Sequence, residues 1–163
     1  MSEEITIQGE LAAKFPFMQD KIRIQRSRRM FAEISYDKFL DVFEYAVKDM
    51  RFVALCTITG IDLGETIGLI YHLARDSGVV LNLSTSIPKE RPILQSVIAF
   101  FPTAEIYERE VVDLLGIQMQ GLPEGTRYPL PDDWPTGQYP LRKDWKPECL
   151  CPMETEKKEA ANG

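Results

Sequence analysis

Phenylalanine and proline occupy different parts of this 163-residue chain. All eight phenylalanines lie at or before Phe101, whereas seven of the eleven prolines lie at or after Pro123. Phenylalanine builds buried cores, while proline lacks a backbone donor and interrupts helices and sheets. The segregation therefore predicts a packed body at residues 1–117 and an extended proline-rich arm at 118–148. Residues 149–163 form a polar tail with little to bury, for which we expect disorder.

Hydrophobic patterning within the body predicts an α+β fold. Apolar residues recur at helical spacing in three segments, and alternating or β-branched runs indicate strands elsewhere. Short turns between the last three strand segments indicate an antiparallel meander. We expect a small, mostly antiparallel sheet with helices packed on one face. The predicted helices are 36–50, 92–101 and 104–115, the predicted strands are 21–26, 52–59, 66–73 and 79–83, and the predicted turns are 60–64 and 76–78.

Charge and composition exclude several classes of protein. The net charge of −6 and the pI of about 4.9 argue against nucleic-acid binding, which needs a basic face. One histidine and three cysteines disfavour a multi-imidazole metal site and a disulfide framework. The amino-terminal residues have neither a basic start nor an apolar core, so no secretory signal is expected. Since no apolar run nears the roughly 20 residues of a membrane span, we expect membrane contact only through partners.

The densest charge cluster lies on the predicted helix 104–115. Paired carboxylates can do acid–base chemistry or bind a metal. Cys149 and Cys151 could contribute two thiolates to a metal or form a redox pair. The simpler interpretation is a solvated or interface face with intrahelical ion pairs. Two incidental thiols are likewise the simpler interpretation of the cysteines. The cluster consists of Glu105, Glu108, Arg109, Glu110 and Asp113.

Three further features have simple structural interpretations. His72 falls on a predicted strand, on the face opposite Tyr71, where a single histidine is usually structural. Cys56 lies within a strand predicted to be buried. The basic run at residues 21–29 fits a solvated strand edge, although it could also meet an acidic partner or lipid headgroups.

Aromatic residues accompany the prolines of the arm. Trp134, Tyr139 and Trp145 lie in segments without helix or strand periodicity. Proline stiffens a chain and lowers the entropy lost on docking, and tryptophan and arginine are enriched at binding hot spots. A free arm would expose these aromatics. The arm is therefore expected to lie over its own body or to clasp a partner.

Two segments together resemble a known family. Residues 108–117 read Glu-Arg-Glu-Val-Val-Asp-Leu-Leu-Gly-Ile, and Pro-Asp-Asp-Trp at 131–134 precedes Pro-Leu-Arg-Lys-Asp at 140–144. These segments resemble the 30-kDa (C) subunit of respiratory complex I. They are also similar to the members of that family in membrane-bound, energy-converting (group 4) [NiFe] hydrogenases. The weaker match covers residues 35–145.

The resemblance implies a small α+β subunit without a redox cofactor of its own. The implied partners are a large catalytic subunit of the nickel–iron or quinone-site type, a small iron–sulfur subunit and membrane subunits. The [NiFe] centre and the iron–sulfur clusters are expected in those partners. The implied location is peripheral, on the cytoplasmic side of the cell membrane. The expected interface or arm-anchoring residues are Glu108, Arg109, Glu110, Asp113, Asp133, Trp134, Tyr139, Arg142, Asp144 and Trp145.

The chain departs from the usual complex I pattern in two respects. Complex I members carry Gly-His-Pro-Asp-Leu-Arg-Arg, whereas residues 121–127 read Gly-Leu-Pro-Glu-Gly-Thr-Arg. This difference and the longer spacing of 131–144 look more like the hydrogenase branch. We therefore expect a non-catalytic structural subunit of an ion-translocating [NiFe] hydrogenase. The alternatives are the equivalent subunit of a complex I-like NADH (or other donor):quinone oxidoreductase and a stand-alone small-molecule-binding α+β module. A further alternative is a metalloenzyme that uses Glu108, Glu110, Asp113 and the Cys149/Cys151 pair.

Overall fold

A mixed five-stranded sheet forms the centre of the protein, in a computed structural model that describes residues 2–150. The strand order is β1-β2-β5-β4-β3, and only the β2–β5 pair is parallel. The expectation of an α+β fold with a mostly antiparallel sheet is therefore confirmed, including the β3–β4–β5 meander. The strands are β1 (Ile22–Arg26), β2 (Arg29–Glu33), β3 (Ala54–Asp62), β4 (Thr66–Ala74) and β5 (Val80–Pro88).

Helices pack against one face of this sheet. The rings of Phe39 and Phe43 contact Tyr71 of β4 at centroid distances of 4.6 and 5.6 Å. Tyr71 belongs to the buried row of β4, as its alternation predicted, and its neighbours Leu69 and Leu73 are also fully buried. Burial of these large side chains supplies most of the driving force for folding. The helices are α1 (Glu3–Lys14), α2 (Phe39–Lys48) and α3 (Ala104–Leu115).

Helix α3 approaches β3 closely because Gly60 has no side chain. A Cβ at Gly60 would collide with the side chain of Leu115 and press against that of Val111. Both of these α3 residues are buried. A glycine within a strand commonly marks such a close approach. The helix therefore packs on the face of β3, the outermost strand on that side of the sheet, where it meets the arm.

The prediction of a helix at residues 92–101 is wrong. Ile93–Gln95 instead forms a short strand, β6, which pairs in parallel with β7 (Gln118–Gln120). A short apolar run fits either a helix or a strand, and the pairing with β7 decides between them. The first residues of the segment predicted as the arm thus form a strand beside the body.

The other corrections are local. Strand β3 extends to Asp62, so the turn predicted at 60–64 is shorter than expected. Cys56 is exposed rather than buried, because it points away from the sheet face on which its neighbour Leu55 is buried. Neither α1 nor β2 was predicted, since their patterns are weak and their packing is long-range.

Helix α3 matches its predicted range, and Gly116 ends it in the left-handed conformation, with φ of 71°.

The opposite sheet face carries the lone histidine in a structural role. A ring nitrogen of His72 lies 2.9 Å from Thr59 Oγ1, and the other ring nitrogen lies 2.5 Å from Asn82 Oδ1. The side-chain amide of Asn82 donates in turn to the carbonyl of Met30, 2.8 Å away. Strands β3, β4, β5 and β2 are thereby linked by side chains as well as by their ladders.

Candidate functional site: the anchored arm

Besides the β6–β7 pairing and a bond from Arg109, three attachment points hold the arm (residues 118–148) against the body. Polar side chains of the body accept or donate bonds to the arm backbone, and arm side chains reach body carbonyls. Because several of these groups are buried or half-buried, their bonds are stronger than surface bonds would be.

The first attachment point is the carboxylate of Asp62, at the end of β3. Its side chain is 1% exposed. Oδ1 accepts from the Gly64 amide at 2.7 Å, and Oδ2 accepts from the Lys143 amide of the arm at 2.8 Å. Lys89 Nζ donates to Asp62 Oδ2 and to Asp144 Oδ1, both at 2.8 Å. We call Asp62, Lys89, Lys143 and Asp144 the Asp62 cluster.

Electrostatics in the Asp62 cluster stabilise the charged forms. The hydrogen bond from Lys89 holds the pKa of the Asp62 carboxyl well below its usual range, despite the opposing effect of burial. The hydrogen bond from the same ammonium lowers the pKa of Asp144, and the two carboxylates raise the pKa of Lys89. The cluster is therefore fully ionised near neutral pH and bonds the arm to the β3–β4 turn.

The second attachment point is Asp113, on the inner side of α3. Arg127 Nε donates to Asp113 Oδ1 at 3.1 Å, and the Leu130 amide donates to Oδ2 at 3.3 Å. The guanidinium of Arg127 also donates to the carbonyl of Trp134 at 2.7 Å. The carboxylate thus holds two separate points of the arm, and Arg127 links them to a third.

The third attachment point is the carboxyl end of α3. The last carbonyls of a helix lack intrahelical partners. Arg142 Nε donates to the carbonyl of Leu115 at 2.7 Å. The backbone amide of Leu141 donates to the carbonyl of Leu114 at 3.1 Å. The Arg142 guanidinium also lies 4.6 Å from the ring centroid of Tyr139. The arm therefore caps α3, and its cation lies at the negative end of the helix dipole.

Gly116→Ala should release this third attachment point. A Cβ at Gly116 would lie 2.5 Å from the ring of Tyr139, and the left-handed backbone itself costs an alanine about 1 kcal/mol. We expect the unfolding free energy to fall and the Tyr139 ring to leave its site. Tyr139 fluorescence is masked by tryptophan, so the ring is followed by ¹³C-labelled tyrosine NMR. Gly137→Ala is the matched control, because Gly137 also has positive φ but has open space around it. Equal chemical-shift changes at Tyr139 in both variants would contradict the expectation.

The two tryptophans of the arm pack on each other. Their ring centroids lie 6.0 Å apart. Both indole N–H groups bond to Gln138: Trp134 donates to its carbonyl at 2.8 Å, and Trp145 donates to its side-chain oxygen at 2.9 Å. The paired indoles and Gln138 fold the distal half of the arm into a compact loop.

The charged residues of α3 have different partners. Arg109 pairs with Glu105 on its own helix, at 2.8 Å, and also donates to the arm carbonyl of Pro123 at 2.9 Å. Glu110 has no ion pair within residues 2–150 and lines a groove beside β3. Asp133 is exposed in the arm. A role for Arg109, Glu110 and Asp133 in partner contact stays a prediction.

Glu108 lies away from the arm, in the interior. It is 0% exposed, and its carboxylate accepts from Ser96 Oγ at 2.6 Å and from the Val97 amide at 2.7 Å. Burial raises the pKa of this carboxyl above its usual value. Glu108 therefore fixes the loop between β6 and α3 to the helix.

Sequence reasoning missed three residues of the attachment points. Asp62, Lys89 and Arg127 each bond to residues far along the chain, and isolated charges carry no signal of such pairing. Asp62 did offer one clue, since a carboxylate at the end of an otherwise uncharged strand must find partners if it is buried.

Within residues 2–150, no group of three or more histidine, cysteine, aspartate or glutamate side chains is placed to hold a metal ion. In the same range, no helix has the length and apolar character to cross a bilayer. The side chains of Cys149 and Cys151 and the polar tail beyond 150 lie outside the described residues.

Comparison with known proteins identifies relatives over most of the chain. The corresponding polypeptide of the F420H2 dehydrogenase of Methanosarcina mazei is 36% identical over 144 residues, covering 86% of this chain and 90% of that relative. The membrane-bound hydrogenase subunit beta of Pyrococcus furiosus is 28% identical over 154 residues, covering 90% and 88%. A chain in the structure of the membrane-bound sulfane sulfur reductase, an archaeal respiratory membrane complex, superposes with a TM-score of 0.80 at 28% identity, covering 91% and 89%.

The family's own sequence pattern covers the segment that builds this site. The pattern described as the respiratory-chain NADH dehydrogenase 30 kDa subunit matches residues 32–149, from the end of β2 to the end of the arm. That range includes all three attachment points. The chain therefore belongs to the family of the 30 kDa subunit of the respiratory-chain NADH dehydrogenase.

Proposed function

We propose that this chain is a non-catalytic structural subunit of a membrane-bound, ion-translocating oxidoreductase complex. The observation that carries the proposal is the match, over nearly the whole chain, to subunits of a membrane-bound hydrogenase and of an F420H2 dehydrogenase. The arm supports it, since its polar groups bind the body while Tyr128 and Leu141 remain exposed, at 43% and 54%. Large apolar side chains on a fixed segment are typical of a protein interface.

The leading assignment is a [NiFe] hydrogenase complex. The chain would pack against the large catalytic subunit of its cytoplasmic arm, beside a small iron–sulfur subunit and membrane subunits. The nickel–iron centre and the iron–sulfur clusters would belong to those partners, and this chain would be held peripherally at the membrane by them. Its departure from the complex I pattern at residues 121–127 favours this assignment.

The second assignment is the equivalent subunit of a complex I-like oxidoreductase. The 36% identity with the F420H2 dehydrogenase polypeptide favours it. The scaffold role is the same in both assignments, because in each the redox chemistry takes place in neighbouring subunits. Only the electron donor and acceptor of the complex differ.

Purification of the native protein from its host membranes tests the proposal. We expect co-elution with membrane subunits and with a large subunit, and metal analysis of that complex separates the assignments. Stoichiometric nickel supports the hydrogenase, whereas iron without nickel supports the complex I-like oxidoreductase. A chain recovered only as a free monomer would refute the scaffold role. Metal bound to the purified single chain would favour the metalloenzyme, and a small molecule bound to it would favour the binding module.

Arg142→Ala should weaken assembly of that complex. The variant loses the bond to the Leu115 carbonyl and the contact with Tyr139, so the distal arm should detach from α3. We expect the tagged variant to recover several-fold less of the partner subunits, with the isolated chain still folded by circular dichroism. Lys146→Ala is the matched control, because it removes the same charge from an exposed arm residue. Equal recovery with both variants would show that arm attachment is dispensable for assembly.

A further inference from the structure

Among residues 2–150, nothing pairs with or covers one edge of the central sheet. Strand β3 is the outermost strand on its side and is nine residues long. Residues 52–61 contain no charged side chain and no proline. Long, uncharged edge strands are uncommon on free proteins, because they pair readily with another strand.

The opposite edge shows the usual protection. Strand β1 carries Arg23 and Arg26, and its Ile22 carbonyl accepts a bond from the side-chain amide of Gln8 on α1 at 2.9 Å. Charge and a covering helix thus block that edge. The lack of protection on β3 is therefore specific to one side of the same sheet.

The ladder shows which backbone groups of β3 face outward. In an antiparallel pair, bonded residues alternate with residues whose N–H and C=O point away from the partner strand. The Leu63 amide donates to the Thr66 carbonyl at 2.9 Å, and this bond sets the alternation. From this pair the alternation runs back along the register of β3. The backbone N–H and C=O groups of Thr57 and Thr59 therefore bond β4, whereas those of Ile58 and Gly60 point to the free edge. Within residues 2–150, the backbone of 54–61 makes no backbone bond outside the β3–β4 ladder.

A groove runs along this free edge. Its volume is about 230 Å³, and it is lined by residues 57–60 of β3, by Glu110 and Leu114 of α3, and by Leu141 of the arm. The edge is therefore continuous with the exposed surface of the arm. The groove offers main-chain partners, apolar walls and one carboxylate without an ion pair among the described residues.

We propose that an extended segment of a neighbouring subunit adds to β3 as a sixth strand of the sheet. Its backbone would bond Ile58 and Gly60, its apolar side chains would contact Leu114 and Leu141, and a lysine or arginine would pair with Glu110. Strand addition of this kind takes its affinity from main-chain bonds and its specificity from the flanking pockets. A second copy of this chain fits less well, since a two-fold joint would bring two Glu110 carboxylates to the same groove. The inference rests on the proposed scaffold function and specifies how the partner binds.

Amide hydrogen exchange, resolved to single residues, tests the proposal in the native complex and in the isolated chain. In the isolated chain, Ile58 and Gly60 should exchange rapidly, and in the complex they should slow by about tenfold or more. Thr57 and Thr59 are the internal controls, because their ladder bonds protect them in both samples. Unchanged exchange at Ile58 and Gly60 in an intact complex would overturn strand addition while leaving the scaffold function in place. Failure to isolate any complex would instead refute the scaffold function.

A pair of charge variants provides an independent test. Thr57→Lys places a cation beside the free edge, as natural edge strands do, and should reduce recovery of partner subunits by about tenfold. Ser86→Lys adds the same charge to an exposed position on central strand β5 and should leave recovery unchanged. Equal loss in both variants would indicate a partner covering the whole sheet face and would overturn the edge proposal. Protection of Ile58 and Gly60 in a concentrated sample of the chain alone would assign the edge to self-pairing, which would also overturn it.

Discussion

In Asp62→Ala, we expect the free energy of unfolding to fall by about 3 kcal/mol and the arm to lose its bond at Lys143. The deletion removes the acceptor of three hydrogen bonds, two of which come from backbone amides, at Gly64 and Lys143. Lys89 would keep only its exposed partner Asp144. Urea denaturation measures the stability, and exchange of the Lys143 amide reports whether the arm has detached.

Asp144→Ala is the matched control for Asp62→Ala. The substitution removes the same charge, and Asp144 also contacts Lys89, but the side chain of Asp144 is 69% exposed. Exposed ion pairs contribute little to stability, so the effect should be far smaller. Equal losses in the two variants would show that the burial of Asp62 has no energetic consequence.

The stabilising effect of Asp62 should also depend on pH. Its folded pKa lies well below the ordinary aspartate value of 3.8, so the folded state favours the ionised form. The contribution is fully present above the unfolded pKa and is lost as the pH falls below that value toward the folded pKa. The stability difference between the wild type and Asp62→Ala should therefore shrink as the pH is lowered from 5 to 3. A constant difference over this range would contradict the assignment.

Glu108→Ala is expected to destabilise the protein by about 3 kcal/mol. The change leaves the Val97 amide and the Ser96 hydroxyl without their acceptor in a fully buried site and opens a cavity beneath α3. Glu108→Gln is the control, because it retains the shape and an acceptor for Val97. We expect it to cost less than about 1 kcal/mol in urea denaturation at pH 5.

The pH dependence of Glu108 has the opposite sign to that of Asp62. Burial raises the folded pKa of this carboxyl above the ordinary value of 4.5, so the folded state binds its proton more tightly than the unfolded state does. Stability from this group therefore falls as the pH rises from about 4.5 through the folded pKa. Glu108→Gln lacks this loss, and its stability relative to the wild type should improve over the same window. Equal damage by Gln and Ala at every pH would indicate that the ionised carboxylate itself is required.

Local patterns identified the elements that are self-contained. Helix α3 has an amphipathic face and a glycine at the position that needs a left-handed backbone, so its bounds were predicted correctly. The alternation of β4 identified Leu69, Tyr71 and Leu73 as buried. In each case, neighbouring residues along the chain carry the information.

Long-range pairing explains the errors. The segment 92–101 has apolar spacing that fits a helix, but β6 forms there because it pairs with β7, which follows α3. Strand β2 pairs in parallel with β5 across a separation of about fifty residues, and the short segment has no strong signal of its own. The partner strand, rather than the local sequence, selects the structure in both places.

By itself, the sequence determined the fold class, the resemblance to a family and the presence of a proline-rich arm with aromatic groups to cover. The tertiary structure alone decided that Asp62, Asp113 and the end of α3 hold that arm and that Glu108 lies in the interior. It also decided that no strand within the described part of the chain pairs with the outer edge of β3. The physical reason is the range of the interactions. Periodicity and turn residues act between neighbours, whereas a buried carboxylate or an unpaired strand acquires its role only when distant segments meet.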